Sequence, residues 1–292
     1  MFTRPGAMSV MVPPVHVHLC GVRGSTPTPG THHAGVGGNT SCVAIADDGR
    51  PPTLLIDAGT GLSSVARLLS GEPYRGTILL SHLHWDHIMG LPFFPPGDRP
   101  DAEVQLLLPE QGMDPVEVLT KAMGPPLFPI TPHQLRGKWQ FGTYGEGKFE
   151  ASGFSVITRE IPHKGGRTMG LRISDGRATI AYLSDHSPHS LGPGADGLGE
   201  LHPAAVELAS GVDVLFHDAQ YTVEELPARA TWGHAAAKYG ATLAEHCGAG
   251  RLVMFHHDPM RTDDQVWAMR DELAAATSVP VEVAVEGVVI QL

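Results

Sequence analysis

Strand-like runs and helical patterns alternate along this 292-residue chain, and that interleaving predicts an α/β layered fold. Two further observations support it. The helical stretches have the length and the Ala and Leu content of surface helices laid over a sheet. The 35 glycines and 25 prolines punctuate the runs without forming a short repeat or a low-complexity tract. Interleaving alone does not say how many sheets there are.

In chain order, strands are expected at 15–20, 41–46, 53–56, 77–80 and 103–108, and again at 155–161, 168–174, 178–183, 212–216, 252–255 and 281–285. Helices are expected at 62–70, 115–123, 204–209, 235–246 and 263–276. Residues 1–14 read as a flexible segment, because Pro5, Gly6, Pro13 and Pro14 interrupt any apolar core of a signal peptide. Residues 15–292 then read as one catalytic domain, a size that one α/β core can accommodate. A proline-rich, lid-like segment spans about 92–132.

The most informative stretch is Ser81-His82-Leu83-His84-Trp85-Asp86-His87, which directly follows the run at 77–80. In an extended segment His82 and His84 point to one side, and Asp86 and His87 follow where the chain turns. Such a density of imidazole and carboxylate reads as metal ligation, able to serve two adjacent positions. The donor types suit zinc, manganese or iron, and the lack of a nearby thiolate argues against a closed structural zinc site. A bare pair at i, i+2, such as His16 and His18, is by contrast an ordinary packing pattern.

A binuclear site needs further donors, and three places offer them. His163 ends an alternating stretch and precedes Gly165-Gly166, which leaves backbone room. Asp185 follows the run at 178–183, where a carboxylate would be presented, although a lone Asp there is also a common turn or cap residue. His256-His257-Asp258-Pro259 closes the run at 252–255, and Pro259 stops the strand.

With these motifs in order, Leu55-Ile56-Asp57-Ala58-Gly59, His82 to His87, His163, Ser184-Asp185 and His257, the chain resembles the metallo-β-lactamase-fold hydrolases over nearly its whole length. The resemblance is to the branch of ribonuclease Z and cyclic-nucleotide-phosphodiesterase-like proteins. It implies a four-layer αββα sandwich, two mixed β-sheets flanked by helices. Carried over by residue, it implies His82, His84 and His163 on one metal and Asp86, His87 and His257 on the other. Asp185 would bridge them, with His256 as the fallback for His257. Two divalent ions are implied, zinc first, manganese or iron(II) otherwise. Asp57 would support a ligand imidazole from behind.

His217-Asp218-Ala219-Gln220 resembles the His-Glu-Ala-Thr segment of ribonuclease Z, and Gly233-His234 resembles that family's later catalytic histidine. The implied catalytic residues are Asp86, Asp218 and His234, the last two as a carboxylate–imidazole dyad. Asp reaches less far than Glu towards such a contact. A water shared by two metals is acidified towards hydroxide, and His234 would protonate the departing oxygen, an effect worth about 10²- to 10⁴-fold.

Substrate class is read from charge and spacing. A net charge of −11 opposes nonspecific binding to the nucleic-acid backbone. His163 and Asp185 are separated by a hairpin-sized stretch, too short for the tRNA-gripping insertion of ribonuclease Z. The expected partner is a small phosphodiester, such as a cyclic nucleotide or cyclic ribose phosphate, and no long nucleic acid. No apolar run approaches the ~20 residues that span a bilayer, so no membrane partner is expected. Cys20, Cys42 and Cys247 are odd in number and far apart, which favours a reducing compartment and the cytoplasm. A homodimer is compatible with this reading.

Two loops and the lid carry weaker signals. Gly21-Val22-Arg23-Gly24-Ser25 is a weak phosphate-cradle pattern, and Gly37-Gly38-Asn39-Thr40 is more economically a tight turn. Phe93, Phe94 and Phe128 serve either to pack the lid or to stack on a flat ligand. The alternatives to a phosphodiesterase are a lactonase or thioesterase on the same metals, or a noncatalytic metal-binding sensor.

Overall fold

A computed structural model describes residues 14–47 and 49–292. Of the segment read as flexible, residues 1–13 lie outside the described residues. The strands are β1 (Val15–Gly21), β2 (Cys42–Asp47), β3 (Leu54–Ile56), β4 (Arg75–Leu79), β5 (Glu103–Pro109), β6 (Lys138–Tyr144) and β7 (Gly147–Ala151). They continue with β8 (Phe154–Glu160), β9 (Met169–Ser174), β10 (Thr179–Leu183), β11 (Val214–Asp218), β12 (Leu252–Phe255), β13 (Val281–Val283) and β14 (Val289–Gln291). The helices are α1 (Leu62–Leu68), α2 (Trp85–Ile88), α3 (Pro115–Thr120), α4 (Pro203–Ala209), α5 (Leu226–Arg229), α6 (Ala237–Cys247) and α7 (Asp263–Ala275).

Among the described residues these strands form two seven-stranded sheets, ordered β14-β1-β2-β3-β4-β5-β6 and β13-β12-β11-β10-β9-β8-β7. Each sheet is mixed. β3 to β6 run parallel, as do β10 to β13, while the remaining neighbours are antiparallel. Of the parallel strands, β3 and β10 to β12 read as nearly continuous apolar runs because both of their faces are covered. Leu54 and Ile56 of β3 face the core between the sheets, whereas Leu55 faces α1. Likewise Phe216 of β11 joins the central core and Leu215 packs with Leu208 of α4 and Leu243 of α6. Helices on both outer faces complete the four-layer αββα sandwich. Each fully buried Leu, Val or Phe contributes about 1.5–3 kcal/mol to it.

Local chemistry sets the helix ends. Asp114 accepts from the backbone of Val116 and Glu117 at the start of α3, and Thr262 and Gln265 form a reciprocal cap on α7. Gly248, in the left-handed region, ends α6.

Three strands, β6, β7 and β14, had no counterpart among the expected ones. All three are sheet edges. β6 and β7 are largely half-buried or exposed and carry Lys, Gln, Glu and Gly, so they lack the apolar density of the inner strands. β14 is only three residues long. His16 and His18 sit on β1 as half-buried neighbours with ring centroids 6.1 Å apart, outside the site. Within 92–132 the strand β5 is structural, and Phe94 is buried against Tyr74 with ring centroids 5.5 Å apart. On either side of β5, Pro92, Phe93, Leu119, Ala122, Met123 and Phe128 come together with Trp85 around one hollow.

Candidate metal centre

Most of the site residues follow the carboxyl ends of the two parallel blocks, where open α/β sheets leave a crevice. Asp57 follows β3, His82 to His87 follow β4, Asp185 follows β10, Asp218 ends β11 and His256 follows β12. His163 comes from the loop after β8. Asp57 and His256 adopt left-handed backbone conformations, with φ of 59° and 56°. These are among the few non-glycine residue types that reach this region readily.

Two donor sets meet there. His82, His84, His163 and Asp185 form one, and Asp86, His87, Asp185 and His256 form the other; within each, the donor atoms lie within 4.8 Å of one another. Asp185 belongs to both. Its Oδ2 is 3.7 Å from His82 Nε2 and 3.6 Å from His163 Nε2, and its Oδ1 is 3.0 Å from His87 Nε2 and 3.3 Å from His256 Nε2.

The hydrogen bonds behind the rings fix which nitrogen faces the centre. His87 Nδ1 donates to Asp57 Oδ2 (2.7 Å), His163 Nδ1 to the carbonyl of Gly233 (2.6 Å), and His256 Nδ1 to Gln220 Oε1 (3.0 Å). Ser81 Oγ gives its proton to Asp57 Oδ2 (2.9 Å) and so can accept from His82 Nδ1 (3.2 Å). Four imidazoles are thereby held with Nε2 bare. His84 instead offers Nδ1, which stands 3.1 Å from His163 Nε2. His82 Nε2, His87 Nε2 and Asp185 Oδ1 are buried and without a hydrogen-bond partner. Buried lone pairs directed at one another are costly unless a cation lies between them, so the donor set fits divalent metal, with outer-shell bonds of the usual kind.

Charge in the metal-free protein tells the same story. Burial lowers the pKa of His82, and lowers that of His163 to about 4. Burial acts against the His87 and His256 imidazolium forms too, but there Asp185 and Asp86, with Asp57 beside His87, more than offset it and raise both. The second donor set thus favours protons on its imidazoles, paired with its carboxylates, when no metal is bound. Asp185, though buried, is held well below the usual carboxylate range by His256, His87 and His82.

His257 does not join. We correct that expectation: His256 occupies the place expected of His257. The positive φ at His256 turns the chain out of β12 and swings the His256 ring to within 3.1 Å of Asp86 Oδ2. His257 then pairs with Arg23 as an isolated parallel bridge, and its Nε2 donates to the carbonyl of Ala284 (3.1 Å). Strand parity predicts opposite faces for the two rings but cannot say which one a left-handed residue turns inward.

His234 Nδ1 donates to Asp218 Oδ2 at 2.9 Å, so the shorter Asp reaches. The amides of Gln220 (3.0 Å) and His186 (3.3 Å) donate to the same carboxylate. Behind it, His217 Nδ1 donates to the carbonyl of Asp218 (2.8 Å), which leaves His217 Nε2 to accept from His186 Nδ1 (2.9 Å). His84, Asp86, His163, Asp185 and His234 line a common cleft of about 450 Å³, walled by Trp85 and Trp232.

Several supporting residues were not expected from the sequence. Ser25 N–H donates to Asp86 Oδ2 (2.8 Å), so the loop read as a weak phosphate cradle spends this donor on a metal-ligand candidate. Gln220 Nε2 donates to Ser25 Oγ (3.3 Å), and Tyr182 donates to Asp57 Oδ2 (2.8 Å). Gly24 is required by close approach, since a Cβ there would fall 2.4 Å from His256 Nδ1. Arg23 is fully buried and points away from the cleft. It donates to the carbonyls of Gly37 and Arg261, both at 2.7 Å, and to Asp263 at 3.1 Å. The glycine and Asp-Ala spacings hinted at these loops, but not at their partners.

The sequence matches the family model described as "Beta-lactamase superfamily domain" over residues 53–257, which runs from the start of β3 through the β12 histidines. The chain belongs to this family. Membership places it among the metal-dependent hydrolases of that superfamily. The chain is 25% identical over 262 residues to ribonuclease Z of Salinibacter ruber (strain DSM 13855 / M31), covering 73% of this chain and 78% of that protein. It is 27% identical over 242 residues to ribonuclease BN of Escherichia coli O157:H7, covering 69% and 77%. In fold it is similar to the metallo-beta-lactamase fold protein YhfI from Bacillus subtilis, with a TM-score of 0.72 and 18% identity over 96% of this chain and 100% of that one. Among the described residues no helix is long and apolar enough to cross a membrane.

Proposed function

We propose that this chain is a binuclear metal-dependent phosphodiesterase acting on a small phosphodiester, such as a cyclic nucleotide or cyclic ribose phosphate. The observation that carries this reading is the Asp218–His234 pair, bonded at 2.9 Å, with His234 opening into the cleft that His84, His163, Asp86 and Asp185 of the two donor sets also line. Two divalent ions held there, zinc foremost, supply Lewis acidity towards phosphate oxygens and a nucleophilic water at neutral pH. His82, His84 and His163 would hold one ion, Asp86, His87 and His256 the other, with Asp185 between them.

The protein's own residues do the rest. Asp57, Gln220 and the Gly233 carbonyl orient the imidazoles, and Ser25 N–H fixes Asp86. Asp218 accepts the Nδ1 proton of His234 and so aims Nε2 at the cleft. A proton on that Nε2 passes to the leaving oxygen as the P–O bond breaks, which is general-acid catalysis. The ribonuclease names of the relatives support phosphodiester chemistry. A small substrate is supported by the net charge of −11 and by the short β9–β10 hairpin between His163 and Asp185, which offers no arm for tRNA.

The test of the general acid is a leaving-group comparison. His234→Ala is expected to keep both metals and to slow a diester with an alkoxide leaving group by about 10²- to 10⁴-fold. A p-nitrophenyl diester, whose phenolate departs without a proton, should be slowed far less. Equal slowing of both substrates would exclude the general-acid role.

A further inference from the structure

Beside the metal cleft lies a second, apolar hollow of about 210 Å³, and Trp85 lines both. Its walls include Met89, Phe93, Leu119, Met123 and Phe128, and no charged residue contributes to it. Trp85 is 69% exposed and Phe93 62% exposed. Two large aromatic faces left open to water next to a charged floor forgo burial that a ligand would recover.

The hollow is firmly built. Gly90 N–H donates to the Ala58 carbonyl (2.8 Å), which ties the end of α2 to the loop after β3, and Met89 N–H closes the helix on the Trp85 carbonyl (2.8 Å). Phe93 stands edge-on to Phe128 with ring centroids 5.7 Å apart. Across the cleft, Trp232 is braced by the Arg229 guanidinium, 5.7 Å from its ring centroid. The hollow is smaller than the about 300–1,000 Å³ of pockets that enclose whole ligands. It therefore suits one ring system of a molecule whose charged part lies elsewhere.

We infer that the Trp85–Phe93 hollow is a subsite for a flat aromatic group carried on one ester oxygen of the substrate, so that the preferred diester is aryl- or nucleobase-bearing rather than a simple alkyl phosphate. This rests on the diesterase reading and narrows it. The continuity through Trp85 places such a ring one side chain away from a phosphate in the cleft, and aromatic stacking is tolerant of which ring is offered.

The test uses metal-loaded enzyme and two diesters with the same leaving group, phenyl p-nitrophenyl phosphate and methyl p-nitrophenyl phosphate. The ratio of their kcat/KM values, taken relative to the uncatalysed ratio, is expected to favour phenyl by roughly 5- to 100-fold. Trp85→Ala and Phe93→Ala, with metal content verified, should each collapse that preference towards one. A ratio that matches the uncatalysed one, or that neither variant moves, overturns the subsite. Variants that change the sedimentation of the protein and leave the ratio intact would show the hollow to be covered by a second copy, which also overturns it. Turnover of neither diester would instead defeat the diesterase reading. Calorimetric binding of phenylphosphonate against methylphosphonate would then decide the subsite alone, with tighter phenyl binding lost in Trp85→Ala as the expected result and equal affinities as the contrary one.

Discussion

Removing the Asp185 carboxylate severs both donor sets at once, because Oδ2 faces His82 and His163 while Oδ1 faces His87 and His256. Asp185→Ala is therefore expected to lose metal from both positions, read as metal per chain after gel filtration; unchanged content would contradict the bridging role. His256→Ala and His257→Ala separate more sharply. The first should lose metal at the Asp86–His87 position, whereas the second should keep it and lose stability. Burial and the nearby Arg23 lower the His257 pKa to about 3, against an unfolded value near 6.5. Between those values the unfolded chain holds the extra proton, so stability falls as pH drops from about 6.5 towards 3, by at most about 1.4 kcal/mol per pH unit. His257→Gln lacks that titration. The stability gap between wild type and this variant, both metal-free, should narrow on going from pH 7 to pH 4.5; a constant gap would show that His257 does not titrate in this way. At this scale the sequence named both histidines but ranked them wrongly, because a left-handed φ at a strand end is not written in alternation.

The two donor sets ride on different elements, and that difference has a pH signature. The first set comes from the end of β4 and the loop after β8, and its imidazoles are held neutral: the pKa values of His82, His84 and His163 are all lowered, chiefly by burial. The second rides on α2 and the end of β12, where His87 and His256 are raised. Metal entering the second set must displace protons, whereas metal entering the first need not. Acidification should release the two ions in separate steps, the α2–β12 ion first. Calorimetry in buffers of different ionisation enthalpy should show proton release for that ion alone, and simultaneous release of both ions would contradict the assignment. Eleven strands and five helices were legible as periodic apolar runs, with ends shifted by up to three residues. The edge strands β6, β7 and β14 were not, since an edge needs little apolar surface. The four-residue helices α2 and α5 were too short to show a period.

For the whole molecule, the topology is what makes one site out of motifs spread from Asp57 to His256. Two parallel blocks open at the same crevice, so site residues read linearly from the ends of β4, β8, β10, β11 and β12 become a single cluster. The sequence made that cluster visible because its chemistry needs ionisable residues at strand ends. The supporting contacts of Ser25, Gln220 and Tyr182 stayed hidden because they depend on tertiary approach rather than on spacing. The −11 charge and the acidic floor of the cleft also leave the metal-free site dependent on cations for any phosphate to approach. The central claim is tested most directly by measuring hydrolysis of bis-p-nitrophenyl phosphate beside a p-nitrophenyl ester on one sample of known metal content. We expect close to two metal ions per chain and diester turnover abolished by chelator and restored by added metal; metal-replete protein that cleaves only the ester would contradict the phosphodiesterase account and favour a lactonase or thioesterase.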